Sequence, residues 1–245
     1  MLRYFPSYSQ LVFQSLNTIG NVASFNEEHA RVAFFGPGPA PELLGVLQSL
    51  RQRLPHQIPI TATLFDRASN AWQPSRQINV ERLLPLIWNG DLITIQEREL
   101  DFSHAAASQD VTVREVLANA DLVIFQNCVN EIPQASQAAF HANAIEFHRL
   151  MRPGSVMLFV ERRGYVGTLT LLASIRATAI QQQLCSVTMS DEAVLNCRPI
   201  NAVAPPLLTT HLLVRRDVFL PITPDEYGLV LGADLQYQYW ALRRQ

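Results

Sequence analysis

The sequence of 245 residues contains no lysine, and all 19 of its basic side chains are arginines. A lysine-free chain cannot use lysine as a general base, as a Schiff-base former or as the phosphate ligand of a P-loop, so enzyme classes that depend on lysine are excluded. Two explanations of the absence stay open. Either the genome has a biased composition, or the protein avoids amine-directed modification by itself or by a partner.

Cysteine and long apolar runs are also scarce. Cys128, Cys185 and Cys197 are widely spaced and show no metal-ligand pattern, which predicts reduced thiols, a cytoplasmic setting and no metal site. The N-terminus lacks the basic start and small-residue cleavage site of a secretory signal. No apolar run is long enough to cross a bilayer, so a membrane partner is not expected.

Charge is low, because only 16% of the residues are charged while 48% are hydrophobic. This balance is typical of a compact globular α/β domain rather than of a disordered chain. The net charge of -2 gives no overall attraction for nucleic acid. Three arginine pairs could contact RNA locally or could be ordinary solvated surface, and they are Arg162-Arg163, Arg215-Arg216 and Arg243-Arg244. Nothing in the sequence indicates an oligomeric state.

A glycine and proline turn follows the first buried apolar run, Val32–Phe35. In this turn Gly36 and Gly38 flank Pro37, and both glycines can adopt positive φ and let a ligand approach the backbone. A helix with apolar residues at helical spacing is predicted over Glu42–Leu54. Strand, glycine turn and helix start together predict a nucleotide-type site at the carboxyl edge of a parallel sheet, although a plain strand–helix turn is the alternative.

The second apolar run, Ile60–Phe65, ends at Asp66 and Arg67. Nucleoside-binding folds place a carboxylate here to accept hydrogen bonds from ribose hydroxyls, and an ionised Asp66 can accept two of them. The alternative for a lone acid is a turn residue or a helix cap. Trp72, a few residues further on, either offers a flat face to a base or simply packs.

The third predicted strand, Leu92–Gln96, leads towards Asp101 and Phe102. An acid followed by an apolar ring can form the polar and apolar walls of an adenine site, and a plain surface loop has the same appearance. Whether Asp101 and Phe102 indicate an adenine site therefore depends on the other motifs along the chain.

The fourth predicted strand ends in two amides, Gln126 and Asn127, and Asn130 and Glu131 follow them. In a doubly wound sheet, ligands meet the carboxyl ends of the central strands. Amide side chains there can hold an acceptor without titrating, and Glu131 can accept a released proton or be an ordinary helix-start acid. Asn127 and Glu131 are the predicted catalytic residues.

At both ends of the chain, secondary structure is predicted only from the spacing of apolar and polar residues. Residues 1–29 form a helical segment whose aromatic side chains either pack as core or close over a ligand as a lid. Residues 30–245 form the α/β domain. Alternation within Leu229–Leu242 predicts an edge strand.

Taken in order, these motifs resemble those of the class I (Rossmann-like) S-adenosylmethionine-dependent methyltransferases. The resemblance covers roughly residues 31–215 and is carried by Val-Ala-Phe-Phe-Gly-Pro-Gly-Pro at 32–39, Leu-Phe-Asp at 64–66, Leu-Asp-Phe at 100–102, Asp-Leu-Val-Ile-Phe-Gln-Asn at 121–127 and Leu-Met-Arg-Pro-Gly-Ser-Val-Met-Leu-Phe-Val-Glu at 150–161. It implies a doubly wound, mostly parallel sheet of seven strands, S-adenosyl-L-methionine as cofactor and a methyl acceptor that is RNA, protein or a small molecule. The subfamily is not placed. The residues that the resemblance assigns to the cofactor are Gly36, Pro37, Gly38, Asp66, Arg67, Trp72, Asp101, Phe102, Gln126 and Asn127.

Two positions depart from the family pattern. Phe34 and Phe35 stand where the family usually carries a first-strand acid, and Ala40 replaces the third glycine. One carboxylate that would help to hold the methionine ammonium is therefore missing. Either Glu42 or Asp101 compensates for it, or cofactor binding is weakened or lost. The sequence thus predicts a methyltransferase, and the alternative is a catalytically inactive binding or scaffold protein with the same fold.

Overall fold

The computed structural model describes residues 5–20, 25, 27–162, 164–189, 194–197 and 235–245. The Arg215-Arg216 pair lies outside these ranges. The α-helices in the described part of the chain are α1 (Phe5–Ile19), α2 (Pro41–Arg53), α3 (Ser69–Ile78), α4 (Val111–Asn119), α5 (Gln137–Leu150) and α6 (Val166–Gln181). The strands described there are β1 (Ala30–Phe35), β2 (Ile60–Asp66), β3 (Ile93–Glu99), β4 (Leu122–Gln126), β5 (Val156–Arg162), β6 (Cys185–Met189), β7 (Val194–Cys197) and β8 (Leu235–Arg244).

The strands form one sheet in the order β3-β2-β1-β4-β5-β8-β6, with β7 paired to β8 off this path. Strands β1 to β5 run parallel to one another, and β8 is antiparallel to β5, β6 and β7. The predicted α/β fold with a mostly parallel sheet is thus confirmed. The described residues contain eight strands rather than the predicted seven. The additional strand is the short β7, which pairs only with β8.

Apolar cores cover both faces of the sheet. One core joins side chains of α1 and α2 to the sheet face that carries Phe34, and the other joins α4, α5 and α6 to the opposite face, which carries Phe35. Neighbouring residues of β1 point to opposite faces, and both faces are buried, so β1 reads as one continuous apolar run. This layering is that of a doubly wound fold.

The prediction of an edge strand near the end of the chain was wrong. Strand β8 lies inside the sheet between β5 and β6, and Tyr237 and Tyr239 on it are 1% and 0% exposed. The alternation of glutamine and tyrosine predicted an edge strand over Leu229–Leu242, of which residues 229–234 lie outside the described ranges. The apolar bodies of the Tyr237 and Tyr239 rings instead pack in the core beneath α1.

Helix α1 packs closely on α2 at Gly45. A Cβ atom placed on Gly45 would lie 2.3 Å from the carbonyl oxygen of Ser9 and 3.0 Å from the amide nitrogen of Phe13. Only a glycine allows the two helix backbones to approach this closely. The apolar side of α1, which includes Leu11 and Leu16, is fully buried in this contact. Helix α1 is therefore a core helix.

Candidate functional site

The turn between β1 and α2 is built from alternating left-handed residues. Gly36, Gly38 and Ala40 have φ of 63°, 53° and 59°. The amide of Ala40 donates to the carbonyl of Pro37 at 2.8 Å, which closes the turn just before Pro41 begins α2. Ala40, at the position of the third glycine, adopts the conformation that a glycine would supply, so the turn keeps its shape.

A cavity of about 210 Å³ opens beside this turn, at the carboxyl ends of β1 and β2. Eight residues of the predicted site line it, and they are Gly36, Gly38, Asp66, Arg67, Trp72, Asp101, Phe102 and Glu131. The lining also includes Ala68, Ser103, Cys128, Ile132 and Pro133. Sequence positions from 36 to 133 thus meet at one edge of the sheet, as expected for parallel strands.

Three predicted residues do not line this cavity: Pro37, Gln126 and Asn127. The side chain of Gln126 points to the α1 face, where its Nε2 donates to the carbonyl of Tyr8 at 3.0 Å. Because residues alternate between faces along β4, this last residue of the strand faces away from the cavity. Asn127 has φ of 52°, and its buried Nδ2 has no hydrogen-bond partner among the described residues.

Asp66 is buried beneath the glycine turn, and only 5% of it is exposed. Its Oδ2 accepts the amide of Gly38 at 3.0 Å, and its Oδ1 accepts the amide of Ala68 at 2.8 Å. A carboxylate offers about four acceptor positions, so two are left for a ligand. Asp66 therefore fixes the turn as well as facing the cavity.

Arg76 on α3 is a buried cation behind the same turn, and 2% of it is exposed. Its Nε donates to the carbonyl of Gly38 at 2.6 Å and its Nη1 donates to Oε2 of Glu97 on β3 at 2.7 Å. Its Nη2 lies 3.6 Å from Oδ2 of Asp66. One guanidinium thus ties the turn, the end of β2 and β3 together.

Asp101 and Phe102 have different surroundings. Oδ1 of Asp101 accepts the amide of Ser103 at 2.9 Å and the hydroxyl of Ser103 at 2.6 Å, in a local turn at the surface. Phe102 is 9% exposed and packs edge-on against Phe35, with ring centroids 5.9 Å apart. Phe35 in turn stacks on Phe125 at 4.7 Å. An acid in place of Phe35 would therefore lie inside an aromatic cluster.

Arg67 and Glu131 form a pair across the lining of the cavity. Nη2 of Arg67 is 3.9 Å from Oε2 of Glu131, and the two side chains are 60% and 66% exposed. An exposed pair at this distance contributes little to stability. Both side chains are consequently free to reorient towards a ligand.

Two buried glutamates flank the site without a charged partner within ion-pair distance in the described part of the chain. Burial raises the pKa of Glu42, in the first turn of α2, to about 8, and it raises the pKa of Glu161, at the end of β5, to about 8. Oε1 of Glu161 accepts the amides of Cys128 at 3.1 Å and Val129 at 2.9 Å. Oε2 of each glutamate has no hydrogen-bond partner among the described residues.

Cys128 contributes its side chain to the cavity wall. Its thiol donates to the carbonyl of Phe35 at 3.2 Å, and a Cβ atom on Gly36 would lie only 2.7 Å from its own Cβ. Burial, with Glu161 and Glu42 nearby, raises the pKa of this thiol well above its usual range. Cys128 is therefore a protonated, unreactive wall residue.

Sequence reasoning missed Arg76, Glu161 and Cys128 as parts of the site. The signal for Arg76 was the acid Glu97, which directly follows the third predicted strand and lies within β3 in the structure, where a partly buried carboxylate requires a cationic partner. Which arginine supplies that partner depends on the position of α3, which local sequence does not give.

Within the described ranges, no three or more His, Cys, Asp or Glu residues come together as a group that could hold a metal ion. Among the helices of the described residues, none is both long enough and apolar enough to cross a membrane.

No protein-family model matches the sequence, and no curated protein matches it. Three solved structures illustrate its similarities. The citrinin polyketide synthase CMeT domain has 12% identity and a TM-score of 0.46, with coverage of 91% of this chain and 48% of the other. The N-methyltransferase NodS from Bradyrhizobium japonicum has 10% identity and a TM-score of 0.48, with coverage of 97% and 96%. YcgJ from Bacillus subtilis has 13% identity and a TM-score of 0.49, with coverage of 95% and 99%.

The chain spans about half the length of the citrinin synthase structure that it matches. Other matching structures include a carbon methyltransferase and the mitomycin 7-O-methyltransferase MmcR, so the named activities cover carbon, nitrogen and oxygen acceptors. All of these TM-scores are below 0.5.

Proposed function

We propose that this protein is an S-adenosylmethionine-dependent methyltransferase. The observation that carries the proposal is the cavity at the carboxyl edge of the sheet, where the left-handed glycine turn, the Asp66 carboxylate and the Phe102 ring meet. Buried concave sites at this edge bind nucleotide-like ligands in doubly wound folds.

The residues present fit the parts of this cofactor. Asp66 keeps two acceptor positions for the ribose hydroxyls, and Phe102 offers an apolar wall to the adenine. The cofactor also carries an amino-acid end with an ammonium and a carboxylate. Among the unpartnered buried atoms of the described residues, Oε2 of Glu42 in the first turn of α2 is an acceptor that matches the ammonium.

Methyl transfer requires few catalytic side chains, because the bound cofactor supplies an already activated methyl group. The protein mainly aligns the acceptor and excludes water. We assign alignment to the amide of Asn127, and acceptance of the released proton to Glu131, whose exposed carboxylate lines the cavity. The methyl acceptor belongs to one of the predicted classes: RNA, protein or a small molecule.

The alternative of an inactive scaffold has no support in the described residues. Gly36 and Gly38 keep the turn open, and no bulky side chain fills the cavity beside them. We place the protein in the cytoplasm, since Cys128 and Cys185 are free thiols, which is typical of a reducing compartment.

Calorimetry with S-adenosylhomocysteine tests the site. Gly38→Val adds a strained residue at φ of 53° beside Trp72, and Asp66→Ala removes the ribose acceptor. We expect each change to weaken binding roughly ten- to a hundredfold, since a charge-assisted hydrogen bond contributes about 1.5–3 kcal/mol. Gly90→Ala is the control, because a Cβ atom at Gly90 meets nothing within 4 Å. Unchanged affinity in both site variants would show that the site is wrong.

Labelled cofactor tests the activity. We expect wild-type protein to transfer label to one fraction of host RNA, protein or metabolite extract, and Asn127→Ala to lower turnover far more than cofactor affinity, since alignment matters in the transition state. Normal cofactor binding with no labelled product in any fraction would favour the inactive scaffold.

A further inference from the structure

We infer that Glu42 binds the primary ammonium group of the cofactor, in place of the carboxylate that is missing from the first strand. The inference rests on the proposed methyltransferase function and adds a residue to its site.

Glu42 is the second residue of α2 and directly follows the glycine turn. It is 3% exposed, one of its oxygens accepts its own backbone amide, and its Oε2 has no hydrogen-bond partner among the described residues. Such an oxygen is costly to bury unless a donor or a cation meets it.

The surrounding residues supply no such cation. Asp66 and Arg76 are the charged groups that act on Glu42 from β2 and α3. The guanidinium of Arg76 donates to Gly38 and Glu97 and lies 3.6 Å from Asp66. Its Nη2 makes no hydrogen bond within the described residues, and no ion pair there joins it to Glu42. Helix α1, which packs against α2, carries no charged residue between positions 5 and 20, and Tyr8 is its only titratable side chain. A cation on the ligand is therefore the partner that this carboxylate lacks.

Asp101, the other candidate from the sequence, lines the cavity but is exposed, and its Oδ1 accepts two hydrogen bonds from Ser103. Water satisfies an exposed carboxylate, so Asp101 does not need a ligand cation as the buried Glu42 does. Glu42 lies in the first turn of α2, behind the cavity lining rather than in it, and its charge acts on Asp66 and Cys128, which do line the cavity. The acid has thus moved from the strand end to the beginning of the next helix, where Phe34 and Phe35 leave the strand apolar.

Binding of an ammonium by Glu42 should change the protonation of this side chain, which can be measured. Burial and Asp66 raise the pKa of Glu42, Arg76 lowers it, and the result is about 8, so the free protein holds Glu42 protonated at pH 7. An ammonium favours the ionised form. Binding of a ligand with an ammonium group should therefore release most of one proton to the buffer.

The experiment compares S-adenosylhomocysteine, which has the ammonium, with 5′-methylthioadenosine, which lacks the amino-acid end. Calorimetry is run at pH 7 in buffers of different ionisation enthalpy on wild-type protein, Glu42→Gln and the exposed control Glu115→Gln. We expect Glu42→Gln to weaken S-adenosylhomocysteine roughly ten- to a hundredfold, to leave 5′-methylthioadenosine unchanged and to abolish the proton release. Glu115→Gln should match the wild type.

If Glu42→Gln weakens the binding of both ligands equally, Glu42 only supports the turn and the inference is overturned. Unchanged binding of both ligands would also overturn it. If the variant does not fold, the wild-type protein alone decides, because S-adenosylhomocysteine that binds without proton release and no more tightly than 5′-methylthioadenosine also overturns it. Wild-type protein that binds neither ligand would overturn the proposed function, and this inference with it.

Discussion

Arg76 is the residue on which the shape of the candidate site most depends. Its guanidinium contacts the carbonyl of Gly38 and the carboxylates of Asp66 and Glu97, so three separate segments share one buried cation. These segments supply the turn, the ribose acceptor and the neighbouring strand. The position of Asp66 relative to the turn is therefore set by α3 as well as by β2.

Replacing Arg76 by methionine would keep much of its volume but leave the buried Asp66 without its countercharge. We expect a loss of about 3–5 kcal/mol in the free energy of unfolding, the usual cost of removing one partner of a buried ion pair. Urea denaturation measures it, with the exposed Arg82→Met as control, for which a change within about 0.5 kcal/mol is expected. A loss below about 1 kcal/mol for Arg76→Met would show that Arg76 does not hold the turn, β2 and β3 together.

The contact between α1 and α2 is the element whose geometry is most restrictive. A Cβ atom at Gly45 would lie 2.3 Å from a backbone oxygen, and backbone yields less readily than a side chain. We expect Gly45→Ala to destabilise the protein by about 1–3 kcal/mol or more. In α6, where a Cβ atom at Gly167 meets nothing within 4 Å, Gly167→Ala should leave stability unchanged or raise it by up to about 1 kcal/mol.

Thermal denaturation of these two variants provides the measurement. Equal melting temperatures for Gly45→Ala and Gly167→Ala would show that α1 does not lie this close to α2 in solution.

The sequence predicted the parallel strands well because buried parallel strands are continuous apolar runs. The predicted Ile60–Phe65 became β2 (Ile60–Asp66), and the predicted Leu92–Gln96 became β3 (Ile93–Glu99). It misplaced β8, whose position inside the sheet depends on pairing with β5, far away in the chain. Local pattern does not carry that information.

The whole molecule should lose stability as pH rises above neutrality. The pKa values of Glu42 and Glu161 are raised from 4.5 to about 8 by burial, so the folded protein binds more protons than the unfolded chain between these values. This stabilisation is complete below pH 4.5 and is lost as pH rises through 8. Burial lowers the pKa of His148 from 6.5 to about 4, so its contribution has the opposite sign and is lost as pH falls between those values.

We therefore expect the free energy of unfolding to fall between pH 6.5 and pH 8, by at most about 1.4 kcal/mol per pH unit for each glutamate. Glu161→Gln should make this fall shallower. Urea denaturation at several pH values measures both effects. Stability that is constant or rises over this interval in the wild-type protein would contradict the buried, protonated glutamates.

The candidate site as a whole could be predicted only in part. The predicted glycines and acids that follow strands line one cavity, because parallel strands bring their carboxyl ends to one edge. Gln126 was predicted at the same site, but its side chain lies on the α1 face, since the face of the last strand residue depends on where the strand ends. Glu161 was missed because its burial and its two backbone donors come from long-range packing.

The central claim is that S-adenosylmethionine binds in the cavity beside the glycine turn. A crystal structure of the protein grown with saturating S-adenosylhomocysteine tests it most directly. We expect density for the ligand along the turn, with its ribose hydroxyls on Asp66, its adenine against Phe102 and its ammonium within hydrogen-bond distance of Glu42. A ligand bound elsewhere, or a cavity that holds only water at that concentration, would contradict the claim.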